Sequence, residues 1–357
     1  MSSITSHFPL LKKRTSPVAS SGSERKKRLL LSAAPAQLAV CLAALGLEKA
    51  YVISSSERVT LERQLGLSSI ALLRALLRHV LPRSVCPISH FKCSAAGLAM
   101  SGAIYLGTNL EFDGEALRLC ETVHAEQFVI ANAVQHGERA LSALAVTAMP
   151  CGHCRQFMQE LGGAAALRIV VHAPSSASDT YDGKLGALMP FAFGPGDLGK
   201  LTLGERQCTP LAVVAACVSD GARGDVAAAA PPLAAAALRV AEGSHAPYSG
   251  GRAGVALRSR GGIVATGGVI ESCAFNPTLG PLQSALIAMR RRGVLWSDIV
   301  EGSLVDEGDR YGAAARVLFA SLADPAAVFA VHGAAAAAPP SVGASSEPDA
   351  ALATHDC

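Results

Sequence analysis

Three residues of types that bind transition metals, His124, Cys151 and Cys154, lie within one short stretch of the chain. One imidazole and two thiolates form the ligand set of a zinc site whose fourth position stays open. Glu126 follows the histidine by two residues, which places a carboxylate where it can move protons at that open position. These residues predict a catalytic site that holds zinc as its cofactor.

The first half of this set lies at the start of a predicted helix. Residues 125–135 are rich in helix formers, so His124 and Glu126 fall at the helix N-terminus. Residues 141–148 form a short apolar run that predicts a buried strand.

The two cysteines lie at the start of a second predicted helix. Pro150 suits the first positions of a helix, and Cys151 and Cys154, three residues apart, share one face of its first turn. Backbone N–H groups and the helix dipole at this end favour the thiolate, which is the form that a metal needs.

A structural zinc site or a redox-active Cys-x-x-Cys pair is the alternative interpretation. A structural site normally closes with a fourth Cys or His. The nearest spare residue, His153, lies between the two cysteines and would point elsewhere. A redox pair would give Glu126 no role. The combined pattern is more specific than either half, and it favours catalytic zinc.

Composition fits two globular domains and argues against a nucleic-acid partner. The chain has 357 residues, of which 50% are hydrophobic and 4% aromatic, so Ala, Leu and Val must form the core. Residues 1–30 hold seven Lys or Arg and one Glu, whereas the whole chain has a net charge of +3. The remainder is therefore acidic, at −3, which is not the charge of a nucleic-acid-binding surface.

The chain has the cysteine usage of a reducing compartment. Its ten cysteines do not form a disulfide scaffold in so long a chain, and free buried thiols are expected. Residues 29–47 alone resemble a membrane or secretory segment, but Ser32, Pro35 and Gln37 interrupt them, which favours a helix of a soluble protein. We expect a cytoplasmic protein without a membrane partner.

Composition also divides the chain into segments. In order they are a basic, Ser-rich disordered tail at 1–28, a helical leader at 29–82, the metal-site domain at 83–178, a linker at 179–230, a second domain at 231–332 and a disordered tail at 333–357. The first tail would look similar if it were an organellar transit peptide or a nuclear signal.

A predicted β-hairpin precedes the metal site. Residues 93–99 and 103–105 are apolar runs with a Ser-Gly turn between them. Residues two apart on a strand face the same way, so Asn109 and Glu111 present an amide and a carboxylate that suit the hydroxyls of a sugar. An exposed strand end is the alternative. Phe91, taken alone, would more often be a core residue than a ring that stacks on a ligand.

The second half repeats the order of the first half without its chemistry. Residues 239–271 run through a helix, an Ala-Pro-Tyr-Ser segment and two short strands to Glu271, as the first half runs to Glu111. Where the metal ligand and the acid–base residue would recur, the chain has Gly280 and Leu282. Neither side chain can bind a metal or carry a proton, and no Cys-x-x-Cys follows.

Together these motifs resemble the cytidine deaminase family, in its homodimeric two-domain class, over residues 50–330. The pattern H-x-E…P-C-x-x-C is that of zinc-dependent deaminases. The most specific segments are Thr-Val-His-Ala-Glu-Gln at 122–127, Pro-Cys-Gly-His-Cys-Arg-Gln-Phe-Met at 150–158, Ala-Phe-Gly-Pro at 192–195 and Ala-Phe-Asn-Pro-Thr-Leu at 274–279. The resemblance implies an α/β fold with two copies of a three-layer α/β/α unit, each around a mixed five-strand sheet. The first copy would be catalytic, and the second would lack zinc ligands.

The resemblance also implies an activity and further site residues. The activity is hydrolysis of cytidine and deoxycytidine to uridine and deoxyuridine with release of ammonia, a step of pyrimidine salvage, with one zinc ion per subunit and Glu126 moving the protons. The substrate-binding residues would be Asn109 and Glu111 at the ribose, Phe91 stacked on the pyrimidine, and Ala125. Three residues would complete the partner subunit's site across a homodimer interface, namely Phe193, Ala274 and Phe275.

Three departures from the family pattern bear on substrate binding. Ala148 stands where an aromatic residue is usual, Ser94 stands where a glycine is expected, and two extra residues lie between Glu111 and His124.

Two alternative functions stay open. One is that of a related zinc deaminase that acts on a nucleotide, a modified base or RNA; the acidic body of the chain argues against a polynucleotide. Another is an idle zinc protein whose fold serves dimerisation, against which the intact motif argues.

Overall fold

The computed structural model describes residues 36–114, 119–173, 176, 178–203, 211–217 and 232–336. The helices are α1 (36–44), α2 (Ser55–Leu65), α3 (Ser69–Val80), α4 (Ala125–Val134), α5 (Gly152–Phe157), α6 (Leu185–Leu188), α7 (Pro232–Glu242), α8 (Pro281–Arg291) and α9 (Gly312–Leu322). The strands are β1 (Val52–Ile53), β2 (Ser94–Ala99), β3 (Ile104–Thr108), β4 (Leu141–Val146), β5 (Arg168–Val171), β6 (Tyr181–Lys184), β7 (Leu211–Cys217), β8 (Ala253–Ser259), β9 (Val264–Gly268), β10 (Ile299–Glu307) and β11 (Val328–Ala336).

The first sheet has six strands in the order β1-β3-β2-β4-β5-β6. β2 and β3 form the predicted hairpin, with Gly102 at φ 87° in its turn. β4 and β5 run parallel, and α5 lies in the crossover connection that a parallel pair requires. The two residues of β1 add an edge strand to the five strands that the family resemblance implies.

Helices α3 and α4 cover opposite faces of this sheet, because alternate residues of a strand point to opposite sides. On β2, the hydroxyl of Ser94 donates to the carbonyl of Leu77 in α3 at 2.9 Å, whereas Gly97 faces Val129 of α4. On β3, a Cβ added to Gly107 would lie 2.7 Å from the backbone of α4. These small residues let α4 lie close to the sheet, which positions the helix whose N-terminus carries the metal-site residues.

The second sheet repeats this arrangement with five strands in the order β7-β11-β10-β8-β9. β8 and β9 form a hairpin, β10 runs antiparallel to β8, and β11 runs parallel to β10. α8 lies so close to β9 that a Cβ added to Gly267 would be 2.1 Å from the backbone nitrogen of Ala285. The internal repeat predicted from the sequence is therefore a repeat of the α/β fold.

The segment at 179–230, expected to be a linker with little regular structure, supplies one strand to each sheet. β6 pairs with β5, and β7 pairs with β11. The sequence of β6, Tyr-Asp-Gly-Lys, has no apolar run because this edge strand has two exposed side chains. The residues of β7, in contrast, form an apolar run typical of a buried strand.

One boundary near the end of the chain also differs from expectation. β11 continues to Ala336 because it pairs with both β10 and β7, so its last residues lie in the segment expected to be a tail. Residues 1–28 and 337–357, both expected to be disordered, lie outside the described residues.

The two halves pack against each other through an apolar core and a buried polar cluster. Glu160 of the first half is fully buried. Its carboxylate accepts the hydroxyl of Tyr248 at 2.6 Å and the N–H of Cys273 at 2.7 Å, and it lies 3.0 Å from Nε2 of His245. All three partners belong to the second half, so this carboxylate joins the halves.

Within the described ranges, no single helix is both long and apolar enough to cross a membrane. Only the helix pair Ser55–Leu65 and Ser69–Arg83, bent by 95°, reaches that length and hydropathy when taken together.

Candidate active site

The three predicted metal ligands converge at the N-termini of two helices. His124 is the N-cap residue of α4, Cys151 is the N-cap residue of α5, and Cys154 lies in the first turn of α5. Nδ1 of His124 lies 3.5 Å from Sγ of Cys151 and 3.2 Å from Sγ of Cys154. All three ligand atoms lie within 4.8 Å of one another.

These distances are within about 0.4 Å of those around a single zinc ion. Tetrahedral zinc with ordinary Zn–N and Zn–S bond lengths separates its ligand atoms by about 3.5–3.8 Å. Among the residues that the structure describes, no fourth His, Cys, Asp or Glu joins the group. The donor set is therefore that of a catalytic site with one open position, and it suits the zinc cofactor expected from the sequence.

The three ligand groups shift one another's pKa values. The hydrogen bond from Cys154, followed by that from His124, lowers the pKa of Cys151 to about 3 against the opposing effect of burial. The interaction with Cys151, followed by burial, raises the pKa of Cys154. The hydrogen bond to Cys151 raises the pKa of His124. The lowered pKa of Cys151 favours its thiolate, the species that coordinates a metal, and a bound zinc ion would replace the protons on the other two groups.

Glu126 is 5% exposed, and its carboxylate contacts the thiol of Cys154. Burial raises the pKa of Glu126, which brings it closer to neutral pH than that of an exposed glutamate. A raised pKa makes the carboxylate a stronger base, as a group that takes a proton from water requires.

Gln127 links the ligand histidine to the second half of the chain. Its Oε1 accepts the N–H of His124 at 3.2 Å, and its Nε2 donates to the carbonyl of Pro277 at 3.1 Å. Nε2 of His153 also lies 3.1 Å from this amide nitrogen. His153 is therefore held beside the ligand group and is not part of it.

A cavity of about 250 Å³ opens over the ligand group. Its walls include the substrate-binding residues expected from the sequence together with the acid–base carboxylate, namely Phe91, Asn109, Glu111, Ala125 and Glu126. Phe91 is 61% exposed, so its ring is available to a ligand and is not the core residue that its local context favoured. Ala148 also lines the cavity, at the position where the family pattern has an aromatic residue.

Asn109 and Glu111 hold the loop that carries Phe91. Oε2 of Glu111 accepts the N–H groups of Ile88 and Ser89, each at 2.9 Å, and Oε1 accepts the Ser89 hydroxyl. Asn109 donates to the carbonyl of Phe91 and accepts a backbone N–H from the same loop, both at 2.9 Å. Against the effect of burial, the hydrogen bonds lower the pKa of Glu111. Since a carboxylate has about four acceptor positions, one stays available to a ligand.

The second half reproduces this loop. Glu271 accepts the N–H groups of Tyr248 and Ser249 at 3.0 and 3.2 Å, and it also accepts the Ser249 hydroxyl. The bonds match those of Glu111 one for one. The repeat therefore preserves the carboxylate that supports the loop.

The metal ligands have no counterpart in the second half. An antiparallel bridge joins Leu110 to Val123, and the equivalent bridge joins Ile270 to Leu279. The next residue is the N-cap of the following helix in each half, the ligand histidine in the first and Gly280 in the second. Over the described residues, no group of potential metal ligands occurs at this second position.

The three residues expected to act in a partner subunit lie away from the cavity of their own chain. Phe193 and Phe275 are 44% and 64% exposed, and Ala274 is half-buried. Gln156 brings the two segments together, because its Nε2 donates to the carbonyl of Phe193 at 2.7 Å and contacts Sγ of Cys273 at 3.2 Å.

Four further cavity-lining residues were not identified from the sequence, namely Ser89, Cys93, Thr122 and Met149. They lie in segments that reach the metal ligands only when the sheet is packed. For Ser89 a signal existed, since Pro-Ile-Ser at 87–89 recurs as Pro-Tyr-Ser at 247–249.

Comparisons with known proteins match both halves to one family. Two descriptions of the cytidine and deoxycytidylate deaminase zinc-binding region match residues 71–172 and 185–313. The cytidine deaminase of Cronobacter sakazakii is 38% identical over 277 residues, which cover 77% of this chain and 87% of that protein. Cytidine deaminase 1 of Arabidopsis thaliana is 39% identical over 247 residues, which cover 66% of this chain and 80% of that protein. A crystal structure of cytidine deaminase from Mycobacterium tuberculosis is 30% identical and covers 36% of this chain and 99% of its own, with a TM-score of 0.31. With both halves matched, the chain belongs to the cytidine and deoxycytidylate deaminase family.

Proposed function

We propose that the chain hydrolyses cytidine and deoxycytidine to uridine and deoxyuridine with release of ammonia, a zinc-dependent reaction of pyrimidine salvage. The observation that carries this proposal is the convergence of His124, Cys151 and Cys154 beside the buried carboxylate of Glu126, at the floor of one cavity. The comparisons support it, since relatives that match most of the chain are named cytidine deaminases.

Glu126 performs the proton transfers. Zinc at the three ligands would supply a Lewis acid that lowers the pKa of water at the open position. Glu126 takes a proton from the attacking water and delivers it to N3 of the pyrimidine, which makes C4 electrophilic. After attack at C4, Glu126 carries a proton to the departing amine. Two thiolates offset the charge of the metal, so much of the catalysis falls to this carboxylate.

The cavity suits a nucleoside better than a nucleotide. Asn109 and Glu111 bind the ribose hydroxyls, and the exposed ring of Phe91 stacks on the pyrimidine. Among the described residues that line the cavity there is no Lys or Arg, so no cation is placed to bind a 5′-phosphate. This supports cytidine and deoxycytidine over their phosphorylated forms.

The test follows the fall in absorbance when zinc-loaded protein is mixed with cytidine or deoxycytidine. Glu126→Gln is expected to lower kcat by at least about 10²–10⁴-fold while zinc stays bound at one ion per subunit. Near wild-type turnover by this variant would refute the role of Glu126. Zinc-loaded wild type that turns over neither nucleoside would refute the function, and competition by CMP or single-stranded RNA would favour the alternative substrates.

The functional unit that we propose is a homodimer. The rings of Phe191, Phe193 and Phe275 are all exposed, and exposed large apolar side chains are common at interfaces. The last two residues belong to the segments expected to reach the partner's site. If Phe275 acts in the partner, Glu126→Gln and Phe275→Ala chains, each impaired alone, should regain activity in about a quarter of their sites when mixed and reassembled. No recovery from a confirmed mixed dimer would contradict this arrangement.

A reducing compartment, the cytoplasm, is the location that we propose. The seven cysteines whose side chains are described are all free thiols, as is usual where glutathione keeps thiols reduced. Cell fractionation tests this, and enrichment in an organelle would instead point to a targeting role for residues 1–28.

A further inference from the structure

A second cavity, of about 340 Å³, is lined almost entirely by cations. The residues of this basic cavity are Lys49, Tyr51, Arg83, Arg290, Arg291, Arg292 and Gly293. They come from both halves of the chain, because the first three precede β2 of the first sheet and the others lie at or just after the end of α8. The cavity therefore exists only when the halves are packed together.

No carboxylate in the described ranges forms an ion pair with any of the five cations, although ion pairs occur elsewhere on the chain. Like charges placed around one cavity destabilise one another. Burial, followed by the charge of Arg292, lowers the pKa of Arg291 to about 10. Burial also lowers the pKa of Arg83, and the charge of Arg290 adds to this effect.

Main-chain carbonyls hold two of the guanidinium groups in place without neutralising them. Arg83 donates to the carbonyl of Ala50 at 2.8 Å, and its Cζ lies 5.0 Å from the ring centre of Tyr51. Arg290 donates to the carbonyl of Arg83 at 2.9 Å. These contacts fix the positions of the cations, which is the arrangement of a preformed anion site.

Two guanidinium nitrogens of the basic cavity have no hydrogen-bond acceptor in the described part of the chain. Nε of Arg290 and Nε of Arg291 are buried and have no hydrogen-bond partner among the described residues. Lys49 and Arg292 are exposed at the rim. The C-terminal dipole of α8 favours cations in its last turn, but it does not account for the convergence of Lys49 and Arg83 on the same cavity.

The basic cavity is separate from the candidate active site. Arg291 donates to Asn132 at 2.6 Å and to Gln135 at 3.0 Å, at the C-terminal end of α4. The ligand histidine lies at the other end of this helix, about 15 Å away at 1.5 Å per residue. A ligand in the basic cavity would therefore not occupy the nucleoside pocket.

We propose that the basic cavity binds an oligophosphate anion, the group found in inorganic tripolyphosphate and in nucleoside triphosphates. A single phosphate carries at most about two negative charges at neutral pH, so it would leave most of the five cations unneutralised, whereas a chain of three phosphates carries several negative charges. Arginine forks bind phosphate oxygens in pairs. The site does not depend on the proposed reaction.

Isothermal titration calorimetry of the zinc-loaded, full-length protein with tripolyphosphate at low ionic strength tests the proposal. We expect binding at one site per chain, weakened about 100-fold by the double variant Lys49→Gln/Arg292→Gln, at about tenfold for each charge-assisted contact. Both residues are exposed, so the fold should tolerate the change, and circular dichroism checks this. Arg63→Gln is the matched control, since Arg63 is exposed in the last turn of α2 and lies outside the cavity; it should bind as wild type does.

Titrations with ATP and with inorganic phosphate identify the source of the anion. ATP binding more tightly than tripolyphosphate would assign the site to a nucleotide, and equal or weaker binding would assign it to free oligophosphate. Inorganic phosphate should bind more weakly than either. No binding of tripolyphosphate at millimolar concentration, or equal affinity in wild type and the double variant, would overturn the proposal.

Discussion

Glu111→Gln, studied beside Glu271→Gln, separates substrate binding from support of the loop. The repeat places these two carboxylates in matching loops, where each accepts two N–H groups and one serine hydroxyl. Both are buried, at 7% and 4% exposure. Only Glu111 lines the cavity over the metal ligands, so the second variant is an internal control.

The two changes should cost similar stability. A hydrogen bond to a charged group contributes about 1.5–3 kcal/mol, and one between neutral groups about 0.5–1.5 kcal/mol. Glutamine keeps an oxygen for the two N–H groups but removes the charge. Each of these two bonds weakens by about 1 kcal/mol, as does the bond to the serine hydroxyl, which must now accept from the amide nitrogen, so the free energy of unfolding should fall by about 3 kcal/mol in either variant.

Only Glu111→Gln should weaken nucleoside binding. Loss of one charge-assisted bond to a ribose hydroxyl corresponds to a rise in KM of about 10–150-fold, with little change in kcat because the reacting atoms are not touched. Steady-state kinetics and urea unfolding at a fixed protein concentration measure both effects. Equal KM values for the two variants would refute the ribose assignment, and losses of stability that differ by more than about 1.5 kcal/mol would refute the energetic match of the loops.

The loss of stability caused by Glu111→Gln should depend on pH. Because the folded-state pKa of Glu111 is lowered, its stabilising contribution is fully present above its unfolded pKa of about 4.3. It is lost as the pH falls through the lower folded-state value. The difference in stability between wild type and Glu111→Gln should thus shrink below about pH 4. A difference that stays constant down to about pH 3 would contradict this reasoning.

Further predictions concern the metal group, the contact between the halves, the sheet and the cavity wall. Cys154→Ala should abolish stoichiometric zinc, measured by elemental analysis, together with turnover. Glu160→Ala leaves three donors of the second half without a buried acceptor and should lower the free energy of unfolding by about 3–5 kcal/mol; a loss under about 1 kcal/mol in urea titration would contradict this. Gly107→Ala should displace α4 and reduce zinc occupancy, whereas Gly97→Ala first meets the end of a side chain and should be milder in the same zinc and thermal assays. Ala148→Phe should lower KM for cytidine by about 2–10-fold if an added ring stacks in the cavity, and an unchanged KM would show that this wall does not contact the base.

The sequence by itself determined the parts of this protein whose geometry is local. His124 and Glu126 are two residues apart at the N-terminus of one helix, and Cys151 and Cys154 lie within one turn of another. Helix propensity and a spacing of a few residues decide such arrangements without reference to the rest of the chain. The hairpin, the repeat and the absence of ligands at Gly280 could be predicted for the same reason.

Only the tertiary structure decided how these local units meet. The sheet brings two helix N-termini together so that one imidazole and two sulfurs face one point. Each sheet also takes one strand, β6 in the first and β7 in the second, from a segment expected to be a linker. The packed first half places Phe91 at the cavity wall. In the basic cavity, Arg83 meets Arg290 across 207 positions of sequence. Such contacts depend on how strands pair and on which small residues let helices approach, and these are properties of distant segments packed together that no short stretch of sequence contains.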